Sequence, residues 1–162
     1  MGAYEELLKR LKEIDLIGQI GSLLSWDQEV LMPPKAAALR AEQLAWVSKT
    51  AHEMLTDSNI GNLLGKIELD DDLDEAQRAN IRLARESYDR ATKLPTEFVE
   101  EMAKHRSRSL VSWTEAREKD DFSIFRDDLS VAIEHARKKA DFYGYEDQRY
   151  DALLDLYESG LT

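Results

Sequence analysis

The apolar residues Tyr4, Leu7, Leu8, Leu11, Ile14, Ile17, Ile20, Leu23 and Leu24 recur three and four positions apart, until Met32-Pro33-Pro34 cuts the pattern off. That spacing writes one face of a long α-helix, predicted from about Ala3 to Gln28. Such a helix of ~26 residues is about 39 Å long. Fixing its backbone costs on the order of 1–2 kcal/mol per residue. Each buried apolar side chain returns about 1.5–3 kcal/mol. The helix cannot stand alone, so its stripe requires partners. Lys9, Arg10, Lys12, Glu13 and Asp15 take much of the opposite face. Gly18 and Gly21 interrupt it at about 1 kcal/mol each relative to Ala, which is read as room for another helix. A residue before Pro is pushed out of the α region, so the Pro-Pro corner ends the element.

The rest of the chain repeats this kind of pattern. A second helix is predicted from about Lys35 to Leu55, with Leu39, Gln43, Trp46, Val47, Thr50 and Met54 inward and alanines beside them. A short helix follows over about Ser58–Ile67, with Asp57 or Ser58 as its N-cap. Glu68 to Asp74 holds five acids but no Gly, so it does not fit a calcium loop. It reads instead as a solvated loop with Asp72 or Asp74 capping the fourth helix, Asp74 to Lys93. Ala76, Ala79, Leu83, Tyr88 and Ala91 are its packing residues. Leu94-Pro95 opens a fifth helix to Lys119, with Phe98, Met102, His105, Ser109 and Trp113 on one side. Ser123 is the expected N-cap of a sixth helix to Tyr143, striped by Phe125, Leu129, Ile133, Ala136 and Ala140 and closed by Gly144. Tyr150 to Tyr157 starts another apolar segment. The fold class is therefore all-α: a single helical domain over 1–162, an antiparallel bundle of about six or seven helices with short loops.

Composition narrows the function classes. The formal charge is −11 and the only basic cluster, Lys104-His105-Arg106-Ser107-Arg108, lies inside a helical pattern, so no nucleic-acid partner is expected. The chain has no cysteine, which removes thiolate chemistry and agrees with a reducing, cytoplasmic setting. No apolar run approaches the ~20 residues of a membrane span.

Motifs that carry chemistry are scarce. His52-Glu53-Met54-Leu55-Thr56 begins like the H-E-x-x-H zinc helix, but its fifth residue is Thr. His105 and His135 show no ligand spacing. A metal-binding bundle through His52, Glu53 and Asp57 is the weakest of three functional readings. No E-x-x-H pair, G-x-S-x-G elbow or phosphate loop occurs. Trp26-Asp27-Gln28 remains: an aromatic, an acid and an amide where a helix is about to stop. They read either as core and corner-satisfying groups or as a cleft wall.

Several blocks carry a wider resemblance. Leu24-Ser25-Trp26-Asp27-Gln28, Met32-Pro33-Pro34, Arg40-Ala41-Glu42-Gln43-Leu44-Ala45 and His52-Glu53 resemble the N-terminal region of the carboxypeptidase Taq family, zinc-dependent metallocarboxypeptidases. The match continues through Tyr88-Asp89-Arg90-Ala91-Thr92-Lys93-Leu94-Pro95, Trp113-Thr114-Glu115-Ala116-Arg117-Glu118, Asp121-Phe122, Gly144-Tyr145 and Tyr150-Asp151-Ala152-Leu153-Leu154-Asp155. Pro33-Pro34-Lys35-Ala36 and Ser159 depart from the family pattern. The resemblance spans roughly the first third of a family member; the family's H-E-x-x-H and downstream glutamate ligand have no counterpart here. It implies an all-α scaffold walling a groove, with Trp26, Asp27 and Gln28 as candidate wall residues. It implies no catalytic or metal-binding residue in this chain and no cofactor of its own, with zinc and peptide substrate belonging to the full-length protein. The expected partner is the catalytic part or a second copy, and the isolated chain is expected to be inactive. The alternative is a free-standing helical dimerisation or protein-interaction module derived from that scaffold.

Overall fold

The computed structural model describes residues 2–69 and 72–158. Its elements are α1 (Ala3–Val30), a 3-10 turn at Pro34–Ala36, α2 (Ala37–Leu55), α3 (Ser58–Ile67), α4 (Glu75–Thr92), α5 (Thr96–Glu118), a 3-10 turn at Phe122–Ile124, α6 (Arg126–Tyr143) and the single turn α7 (Asp151–Leu154). No strand occurs among the described residues. The all-α reading holds, and the helix boundaries fall close to the predicted ones.

Local signals place the ends. Asp57 accepts from Asn59 N at the head of α3, and Asp74 caps α4 by accepting from Gln77 N at 2.8 Å. Gln77 returns a bond to Asp74 N, which completes a capping box. Gly144 closes α6 at φ 81°, in the left-handed region. Ser123 does not cap α6. Asp121 accepts from Ser123 N at 2.9 Å and caps the 3-10 turn before it. In the acidic loop, Glu68 pairs with Arg85; Asp70 and Asp71 lie outside the described residues.

Contacts between elements fix the topology. Gly21 lies against Val47, and Asp27 against Arg40, so α2 returns antiparallel to α1. His52 meets Leu94, Lys49 meets Glu100 and Glu42 meets Lys104, so α5 runs antiparallel to α2. Phe98 touches Phe142, and Glu101 touches His135, so α6 reverses again. The most extensive helix pair is α2 with α5. Ala41 and Ala45 are fully buried on α2, and Ser107 and Ala116 are buried on α5. Small residues of this kind let helix backbones approach. A second core gathers Leu7, Ile60, Leu64, Ile67, Ile81 and Ala84 from α1, α3 and α4.

Several predicted inner faces are corrected. Ile20, Leu23, Leu39, Trp46 and Leu83 are each more than half exposed, and Trp113 and Ile133 nearly so. Leu7 is the only buried residue of α1. On α2 the predicted Val47 is buried, but Ala41, Ala45 and His52 fill the inner face in place of Leu39 and Trp46. The periodicity identified apolar stripes correctly but could not say which stripe its own chain covers. Of the two glycines, Gly21 does mark a close approach, since a Cβ there would lie 3.2 Å from Val47 Cγ1. Gly18 has nothing within 4 Å.

Candidate functional site

An open groove of about 940 Å³ lies between α1, α2 and α5, reached also by Phe125 and Lys139. Sequence explains its shape. The wall from α1 is cut low by Gly18, Gly21, Ser22 and Ser25, and α2 contributes Ser48 and Ala51. Met102, Leu110 and Trp113 line the α5 side.

Gln28 closes one part of this groove. Its Nε2 donates to the Ser107 carbonyl at 2.8 Å, and Ser107 Oγ donates back to Gln28 Oε1 at 2.8 Å. The pair pins α1 to α5 with both amide functions used. Ser107 is buried, and the bonds meet the requirement that buried polar groups be paired. Asp27 turns the other way and forms an ion pair with Arg40 of α2. Arg40 also donates to the Leu24 carbonyl and, at 3.0 Å, to Gln43 Oε1. The last turn of α1 carries no basic residue of its own. The largely buried Arg40 side chain therefore supplies the cation that a helix C-terminus favours. Trp26 is 53% exposed on the outer surface of α1. The three neighbours in sequence thus diverge: Gln28 lines the groove, while Trp26 and Asp27 do not.

The basic cluster dissolves into packing. Lys104 and Arg108 both reach Glu42, His105 and Ser107 turn inward, and Arg106 lines the groove. His105 and His135, unremarkable in sequence, meet across α5 and α6 with ring centroids 5.1 Å apart. His105 Nε2 donates to the Asp128 carbonyl at 3.1 Å; His135 Nε2 faces Glu101 Oε1 at 3.0 Å. Burial, and then the neighbouring His135, hold the His105 pKa below its usual 6.5. The pairing of residues thirty positions apart leaves no mark in a single sequence.

His52 is buried, and its Nε2 donates to the Leu94 carbonyl at 3.0 Å. Glu53 is exposed and Asp57 is engaged at the head of α3, so the three do not converge. Among the described residues no group of three or more His, Asp or Glu side chains is arranged to hold a metal ion. Among the described residues, His52, Glu53 and Asp57 therefore do not form a three-ligand zinc site. No described helix is long and apolar enough to cross a membrane.

Comparison with known proteins places this arrangement. Residues 6–162 match the family model described as Carboxypeptidase Taq (M32) metallopeptidase. Thermostable carboxypeptidase 1 of Pyrococcus furiosus is 37% identical over 157 residues, and Carboxypeptidase 1 of Bacillus subtilis is 32% identical over 161. These alignments take in 97% and 98% of this chain but 32% of each relative. The chain therefore spans about a third of the length of the curated relatives it matches. Among solved structures, BsuCP superposes with a TM-score of 0.94 at 30% identity, over 99% of this chain and 32% of the other. The M32 carboxypeptidase from Deinococcus radiodurans R1 gives 0.77 at 29% identity, with the same coverage.

Proposed function

Because this chain belongs to the carboxypeptidase Taq (M32) metallopeptidase family, we propose that it is the N-terminal, groove-walling scaffold of a C-terminal exopeptidase and carries no active site of its own. The observation behind this reading is the pairing of near-complete coverage of this chain with about a third of BsuCP, at a TM-score of 0.94. The part of a relative that this chain does not span is where the zinc ligands and the reacting groups belong. The groove between α1 and α5 then contributes one wall of a peptide-binding cleft. Gln28 holds that wall together through Ser107. The absence of cysteine favours a cytoplasmic home for the longer protein.

The role of the scaffold is positional. Holding a peptide so that its terminal bond meets a catalytic group converts a bimolecular encounter into an oriented one. A wall made of three helices tied by partly buried polar bonds suits that task.

The direct assay incubates the purified chain with peptides carrying different C-terminal residues, with and without added zinc, and measures bound metal. No released residue and no stoichiometric metal are expected. Zinc-dependent release of C-terminal residues by the chain alone would refute the reading.

A further inference from the structure

The chain carries a formal charge of −11, yet its groove does not share that sign. The lining holds one acid, Glu29, and two cations, Arg106 and Lys139. Arg106 stands on α5 and Lys139 on α6, so the two positive groups come from different helices. Cations elsewhere are met by acids: Lys49 by Glu100, Arg85 by Glu68, and both Lys104 and Arg108 by Glu42. Among the described residues, neither Arg106 nor Lys139 has a carboxylate partner. Lys139 is half-buried, and its Nζ lies 5.6 Å from the centre of the Tyr143 ring. Burial, and then the nearby Arg90, hold its pKa below the usual 10.5. Arg90 is itself taken up by Glu86 and Asp155. A half-buried ammonium with a second cation near it and no acid gains from an arriving carboxylate.

We infer that the groove selects peptides bearing acidic side chains, and that Arg106 and Lys139 are the residues that set this preference. The inference rests on the groove-wall reading and names a substrate class for it. Two cations on separate helices call for two carboxylates, and a chain terminus brings only one, so at least one comes from a side chain. An extended peptide turns alternate side chains to opposite sides. Acids two positions apart therefore share a side, while the residues between them meet apolar lining such as Met102, Leu110 and Trp113. Glu29, on the α1 wall, opposes the preference. The whole molecule and its groove predict opposite outcomes. A field set by the formal charge of −11 favours a basic peptide. That field decays over about 8 Å at physiological ionic strength, whereas groove contacts act at hydrogen-bond range.

The test titrates the chain with the N-acetylated, C-terminally amidated peptide Ala-Glu-Leu-Glu-Leu-Ala, and with versions carrying Gln or Lys in place of both Glu, at about 0.15 M salt. The readout is the NMR shift of the Trp113 indole N–H, assigned with Trp113→Phe. Each partly exposed charge pair contributes up to about fivefold, so the Glu peptide is expected to bind about tenfold tighter than the Gln peptide, with the Lys peptide weakest. Arg106→Gln and Lys139→Gln should each lower that ratio about threefold, Arg106→Lys should keep part of it, and Glu29→Gln should raise it. Neither cation holds a partner acid, so these variants should melt within about 2 °C of the parent. Free-acid versions of the peptides should show the same Glu-to-Gln ratio. A preference that appears only with a free C-terminal carboxylate would assign the cations to the chain end and overturn the inference. Equal binding of the Glu and Gln peptides, tighter binding of the Lys peptide, or a ratio unchanged in the Arg106→Gln, Lys139→Gln double variant would also overturn it, with the groove-wall reading left standing. If no peptide of any charge moves the Trp113 indole, the inference and the groove-wall reading fall together. Zinc-dependent cleavage by the chain alone would refute the scaffold reading while leaving an acidic preference supported.

Discussion

Gly61 and Gly65 stand one turn apart on α3 and offer a matched pair. Replacing either with Ala gains the same helix propensity, about 1 kcal/mol. Their surroundings differ. A Cβ at Gly65 meets nothing within 4 Å. At Gly61 it would lie 2.6 Å from Tyr88 Oη, 2.9 Å from Cζ and 3.1 Å from Cε1. The aromatic ring is stiff and packs against the Leu7–Ile60–Leu64 core, so it cannot swing aside freely. Forcing extra volume into packed structure costs about 1–3 kcal/mol. Gly65→Ala is therefore expected to raise the melting temperature by roughly 2–4 °C for a chain of this size. Gly61→Ala is expected to leave it unchanged or lower it by up to about 8 °C, since the overlap offsets or exceeds the propensity gain. The double variant Gly61→Ala with Tyr88→Phe removes the closest atom and should recover part of the loss. Thermal unfolding followed by circular dichroism at 222 nm reads all three. Equal stabilisation by the two alanines would refute the packing of α3 against α4 described above.

Two further outcomes follow from the polar contacts. Arg40→Ala leaves Asp27 and the Leu24 carbonyl without their partner and should destabilise the chain by about 1–3 kcal/mol in a denaturant titration. Arg40→Lys should recover only part, because an ammonium cannot serve three acceptors in the guanidinium plane. The paired imidazoles predict a pH dependence. His105 binds its proton less readily folded than unfolded, so the unfolded chain holds more protons below the ordinary value of 6.5. Stability should fall as pH drops through and below 6.5. The groups facing His105 are His135, Asp128, Glu101 and Arg108; the two acids oppose the shift, and burial and the other two produce it. His105→Gln should flatten the slope in melts taken between about pH 7 and 5, and an unchanged slope would assign the acid sensitivity elsewhere.

What could be read from the sequence was what chain-local physics determines. Pro33-Pro34 ended α1 because of a steric clash between neighbours, Asp74 capped α4 because its carboxylate reaches its own third residue, and Gly144 stopped α6 because it tolerates φ 81°. The readings that failed concern partners distant in sequence. Ser107 looks like any helical serine until Gln28, seventy-nine residues away, exchanges two bonds with it. His52 stood out only as the start of an incomplete H-E-x-x-H, yet it is buried with its Nε2 on the Leu94 carbonyl just ahead of α5.

The exposed stripes are a different kind of case. A 3.6-residue period states that a face is apolar, and burial of that face is worth roughly 25 cal/mol per Å² wherever the covering surface comes from. The period carries no information on whether that surface lies on the same stretch of chain. On α2 two readings competed. Ala41 and Ala45 permit the backbone of α5 to come close, whereas Leu39 and Trp46 offer larger apolar area at a greater distance. The tight α2–α5 seam took the alanine side. That choice left Leu39 and Trp46 exposed. The misplaced core residues of α2, Leu39 and Trp46, are therefore one consequence of small residues selecting the internal seam.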